Sequence, residues 1–153
     1  MLNEIFQKIA TEAAHYLLHQ NGFPVSISTA TDHTGPDDDH VLLSLLDYGL
    51  DPISKNQLPV FGDDSRNFSR YTHMATLCLI PYLKDKEASL NVIEQLVELF
   101  EIKPFFQLTI GEQVYELSIA ARSLNLTESQ LFWIARKEPA RPALFYQVRV
   151  SPL

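Results

Sequence analysis

A chain of 153 residues, 46% of them apolar, has the size of one domain and enough apolar surface for a core of its own. Twelve Lys and Arg against nineteen Asp and Glu leave a net charge of -7, which opposes nonspecific attraction to phosphate backbones and anionic lipid and argues against nucleic acid and membrane partners. No apolar run approaches the roughly 20 residues needed to span a bilayer, and acidic residues stand where a secretory signal would be basic; the expected location is the cytoplasm.

Ile5, Ile9, Ala13 and Leu17 recur at near-four spacing and predict an amphipathic helix over 3–20, ended by Asn21-Gly22. A brief alternating piece, Val25 to Ser28, leads into TATDHTGPDDD, whose Gly, Pro and carboxylates predict a solvated loop. Val41 to Tyr48 is apolar almost throughout, as expected of a strand covered on both faces or meeting another subunit. From Gly49 to Tyr71 the turn-forming clusters Asp51-Pro52, Leu58-Pro59 and Gly62-Asp63-Asp64 interrupt any period. A loop of that length, about 49–71, is a candidate partner-binding segment, and Arg66 and Arg70 flank Phe68 within it in the composition that interfaces favour.

His73 to Ile80 places apolar groups on both faces and predicts a central strand, with Pro81 expected to stop its ladder. Asp85 is placed to cap the next helix, whose expected buried stripe is Leu90, Ile93, Val97 and Phe100, with Glu94, Gln95, Glu98 and Glu101 on the wet face. Phe105 to Ser118 reads as a hairpin about Gly111-Glu112, a dipeptide suited to a type II′ turn. Thr127 stands as an N-cap with Gln130 at the capping-box position, and Leu131, Ile134 and Trp133 supply an apolar stripe. Pro139 and Pro142 end that helix. From Ala143 the chain alternates, with Leu144, Tyr146, Val148 and Val150 on one face and Phe145, Gln147 and Arg149 on the other. The elements add up to one α+β domain over 1–153, a predominantly antiparallel sheet packed by two longer helices and one short C-terminal helix.

Signs of bond-making chemistry are missing. His15 and His19 are one helical turn apart but lack a third ligand and a general-base Glu between them. Asp32, His33 and the run Asp37-Asp38-Asp39-His40 have the composition of a hard-cation site without the alternating ligand spacing of a calcium loop. Asp63 and Asp64 are adjacent on a loop, with no fixed separation for acid–base work. Cys78, the lone cysteine, reads as a small buried hydrophobe, and Phe132-Trp133 as core before stacking platform. The expectation is no enzyme, no cofactor and no metal. Arg141, held between prolines at the start of the last strand, is suited to a bidentate contact with a carboxylate of its own subunit or a neighbour.

The closing passage, Leu126 to Leu153, resembles the end of the N-terminal domain type found in cap, or tail-terminator, proteins of extracellular contractile injection systems of the antifeeding-prophage and Photorhabdus-virulence-cassette type. Thr127, Trp133, Arg141, Pro142, Leu144 and Tyr146 carry the resemblance, and the upstream helix, strand, loop, strand and helix agree in order. Ala143 departs from the pattern, where Ser is expected. The resemblance implies a tail-terminator-like fold and a structural role. Subunits would form a homo-hexameric ring that ends the tube and sheath and binds sheath and inner-tube subunits, in the cytoplasm and then within the particle. A strand edge near Ala143 to Val150 or the 49–71 loop is the expected sheath contact, with Arg66, Phe68, Arg70, Arg141, Tyr146 and Val148 as candidate interface residues. The rival reading is a small cytosolic regulatory domain whose acidic loop from Asp32 to Asp39 binds a cation or a basic partner.

Overall fold

The computed structural model describes residues 1–29, 39–50 and 72–153. Helix α1 (Leu2–Asn21) buries Ile5, Ile9, Ala13 and Leu17 on one face, because residues four apart align along a helix. Gly22 closes it in the left-handed region at φ 73°, its N–H donating to the Leu18 carbonyl. Strands β1 (Ser26–Ser28), β2 (His40–Leu50) and β3 (His73–Tyr82) follow. Helix α2 (Lys86–Ile102) then leads to strands β4 (Phe105–Ile110) and β5 (Gln113–Ala121). Helix α3 (Leu126–Arg136) and strand β6 (Leu144–Pro152) finish the chain.

The six strands form one sheet in the order β1-β2-β3-β6-β5-β4, antiparallel except for the short β1–β2 pair. Alternation sends Val41, Leu43, Leu77, Leu79, Leu117, Tyr146, Val148 and Val150 to the face covered by α1 and α2. On the other face, α3 sets Trp133 over Leu42, Cys78 and Ile80, with Phe132 edge-on to both Trp133 and Phe145. β3 is therefore apolar on both sides because its two faces lie in the two layers, Leu77 and Leu79 in one and Cys78 and Ile80 in the other. α1 and α2 run antiparallel, pinned by the Lys103–Glu12 ion pair at 2.9 Å and by the reciprocal amide pair Asn21–Gln95 at 2.9 and 3.0 Å.

Four expectations need correction. α3 is capped by Asn125, whose side chain accepts from the Glu128 N–H at 2.8 Å while the Glu128 carboxylate accepts from the Asn125 N–H at 3.0 Å; the box begins two residues before Thr127. Leu131 and Ile134 are 60% and 71% exposed, because the helix turns Trp133 and Phe132 to the sheet instead. In α2 the buried set is Val92, Leu96, Leu99 and Phe100, with Leu90 half exposed, so only Phe100 of the expected stripe is fully buried. β3 continues through Pro81, which pairs with Val41; β6 has already left β3 beyond Leu79, so a residue without an N–H breaks no ladder on that side. The Asp85 cap is as expected, accepting from the Glu87 N–H at 3.0 Å.

Two outcomes follow from this packing. Asn125→Ala should lower stability by about 1 kcal/mol in urea denaturation, whereas Thr127→Ala should change it by a few tenths at most. Burial pushes the Cys78 thiol up to about 11 and the Tyr146 phenol up to about 12, the latter helped by the Glu101 carboxylate. Both groups hold their protons to higher pH folded than unfolded, so what they contribute is complete below the ordinary values of 9.0 and 10.0 and is lost as pH rises through 11 and 12. Denaturation midpoints should be flat in these two groups at neutral pH and fall in alkali, with Tyr146→Phe flattening the upper part of that decline.

Candidate assembly surfaces

Among the described residues the sheet ends in β1 on one side and β4 on the other. β1 spans three residues and covers only His40 to Leu42 of β2. Beyond it β2 carries an irregularity between Leu45 and Asp47, and the Asp47 carboxylate accepts from the Tyr48 N–H at 2.8 Å. Both features resist the pairing of another strand. β4, with the sequence FFQLTI, has neither charge, proline nor bulge. Its hairpin closes through Gly111 at φ 61°, while Glu112 stays out of the left-handed region, the signature of a type II′ turn. In a two-residue hairpin the flanking pair, Ile110 and Gln113, shares ladder hydrogen bonds, so alternate residues Phe105, Gln107 and Thr109 direct their main-chain groups outward. Phe105 is 57% exposed there.

The second surface surrounds Arg141. The Tyr82 hydroxyl donates to Glu138 Oε2 at 2.6 Å and accepts from Arg136 Nη2 at 3.0 Å, which fixes the ring. Burial and the Glu138 hydrogen bond push the Tyr82 phenol above its ordinary value, so it stays a donor. The Arg141 guanidinium lies over this ring at 4.4 Å from its centroid, a cation–π contact. Its Nε is buried without a hydrogen-bond partner, and no carboxylate of the described residues pairs with it. Arg141 opens into a pocket of about 470 Å³ whose charged lining residues are Lys84, Lys86 and Arg141, set among apolar Leu83, Leu90, Pro139 and Pro142. Arg141 is an expected interface residue, but its lysine partners leave no signal in the sequence, because Lys84 and Lys86 stand at the start of α2 and Arg141 follows α3; only the close of β3 against the proline corner unites them.

Of the other expected interface residues, Tyr146 and Val148 are buried, and their strand is paired on both sides, by β3 and by β5. The expected edge near 143–150 is therefore the centre of the sheet, and strand-breaking prolines at both positions would unfold the protein. Arg66, Phe68 and Arg70 lie outside the described residues, as do Asp32, His33, Asp37, Asp38, Asp63 and Asp64. Asp39 accepts from the Lys84 backbone N–H at 3.0 Å, and His40 stacks against Tyr82 at 5.4 Å. His15 and His19 are exposed on α1, and the described residues hold no group of three His, Cys, Asp or Glu able to grip a metal. No helix of the described residues is long and apolar enough to cross a membrane.

No protein-family model matches the chain, and no curated protein does. Solved structures do. The PVC sheath/tube terminator of an extracellular contractile injection system, in its extended state, superposes with a TM-score of 0.60 at 16% identity, over 97% of this chain and 55% of its own. The fold is that of a tail terminator. The anti-feeding prophage cap, a tube-terminating cap, agrees with a TM-score of 0.60 at 15% identity, over 99% of this chain and 54% of its own. The chain thus spans about half the length of the terminators it matches. Within this terminator fold the Tyr82 platform is structural and the Arg141 side chain is not. Tyr82→Phe should cost about 1–3 kcal/mol by stranding Glu138 and Arg136, while Arg141→Ala should cost about 1 kcal/mol or less in the same denaturation assay.

Proposed function

We propose that this chain is a cap that ends the tube and sheath of a contractile injection particle, assembled as a six-subunit ring in the cytoplasm and carried into the particle. The observation that supports it best is the β4 edge, unpaired among the described residues of a tail-terminator fold: an uncharged, regular strand with outward main-chain groups at Phe105, Gln107 and Thr109. Such an edge takes up a partner strand through main-chain hydrogen bonds, and alternate side chains set specificity. A strand donated by the last sheath layer is the partner proposed for it, with inner-tube subunits beneath the ring. No bond-making step is involved; affinity comes from pairing and shape.

The test uses prolines placed by register. Gln107→Pro with Thr109→Pro removes only outward donors and should leave a folded protein that no longer retains sheath subunits in a pull-down. Leu108→Pro strikes the ladder to β5 and should unfold the hairpin. Undiminished sheath retention by the folded double variant would defeat the β4 assignment.

A further inference from the structure

Resting on that reading, the charge layout of α2 points to how neighbouring copies meet. At its N-terminal end stands the pocket with Lys84, Lys86 and Arg141, none of them in an ion pair among the described residues. From its middle onward, Glu94, Glu98 and Glu101 are exposed at i, i+4 and i+7; Glu98 also meets the Tyr16 hydroxyl of α1 and Glu101 borders a cleft with Arg122, but none of them is in an ion pair with a cation of the described residues. From Lys86 to the middle of the stripe at Glu98 is 12 residues along the helix, about 18 Å at 1.5 Å each.

Both patches work against the helix that carries them. The positive end of the macrodipole lies at the N-terminus, where Lys84 and Lys86 flank it, and the negative end lies beside Glu98 and Glu101; each such charge is unfavourable by about 0.3–1 kcal/mol. The stacked glutamates also repel one another by a few tenths of a kcal/mol per pair. Asp85 and Glu87 do favour the N-terminus, but the Asp85 carboxylate is turned to the Glu87 N–H and neither lines the pocket. Lys103, past the C-terminus, is drawn away to Glu12. Among the described residues, a chain of net charge -7 therefore carries a pocket whose charged lining is cationic at the start of one helix and an acidic stripe along its second half, neither closed by an ion pair.

We infer that the Lys84–Lys86–Arg141 pocket of one copy receives the Glu94–Glu98–Glu101 face of the next. This is a heterologous, head-to-tail contact, the kind that closes a ring when the rotation between copies allows it, whereas two identical patches yield only pairs. Arg141, held over the Tyr82 ring, is presented for two-point binding of a carboxylate, and exposed Leu90 with Pro139 and Pro142 would exclude water from the contact.

Charge reversal tests it in the full chain, with native mass measured alone and on sheathed tubes. The triple variant K84E/K86E/R141E and the triple variant E94K/E98K/E101K should each keep the wild-type circular dichroism and raise the concentration of half-assembly at least about tenfold. Mixing the two should restore assembly, since each then offers what the other lacks. Self-association of the wild type should weaken with added salt. Wild-type assembly by either reversed variant, failure of the mixture to recover, or a wild type that stays monomeric both alone and on tubes would overturn the contact. Sheath retention through β4 reads out separately, so a failed ring contact with intact sheath binding refutes this inference and leaves the terminator proposal standing.

Discussion

The last strand of the chain is the middle of the sheet, and the rest of the fold depends on that placement. β6 joins β3 to β5, and without it the β1-β2-β3 half and the β4–β5 hairpin share no ladder. Its two faces also tie the layers together: Tyr146 meets Phe100 of α2 edge-on at 4.8 Å, and one residue earlier Phe145 meets Phe132 of α3. A slip of one residue would exchange these faces, so register and layer assignment are a single constraint. Pro139 and Pro142 limit how the chain can enter the strand, and the Arg136–Tyr82–Glu138 contacts fasten the preceding corner to the end of β3.

What was legible in the sequence was periodic and local. α1 could be read to its terminal glycine because its apolar residues repeat at one spacing, and β6 because its alternation is unbroken. The buried stripe of α2 is ambiguous in the sequence, since the helix is apolar at Leu90, Val92, Ile93, Leu96, Val97, Leu99 and Phe100, which allows two overlapping helical faces. The Asn21–Gln95 amide pair, a long-range contact, accompanies the face actually buried. α3 offered two nested caps, Asn125 with Glu128 and Thr127 with Gln130, and spacing alone does not separate them.

Strand order was beyond the reach of pattern. A strand with one buried face alternates in the same way whether it lies at an edge or in the centre, so Tyr146 and Val148 were legible as core-facing residues and not as members of a doubly paired strand. The signal for β4 was present in FFQLTI as an absence of charge, proline and bulge, but it gains meaning only once β4 is known to be outermost. Arg141 is marked in the sequence by its flanking prolines. Its lysine neighbours and the tyrosine beneath it are products of tertiary structure.

The difference between the two sides of the sheet matters for what such a subunit can do in a polymer. A unit open at both strand edges passes on the invitation it receives, because each added copy presents a fresh edge, and growth continues. Here the β2 side, among the described residues, is shortened by β1, bent by the irregularity at Leu45/Asp47 and marked by a carboxylate, while the β4 side is regular and uncharged. Pairing through β4 can therefore consume a partner's free edge without offering an equivalent one in return. On the proposed reading, growth along that direction would stop by geometry alone, and lateral contacts between copies would be left to side chains, with charge rather than main-chain pairing setting which surfaces meet.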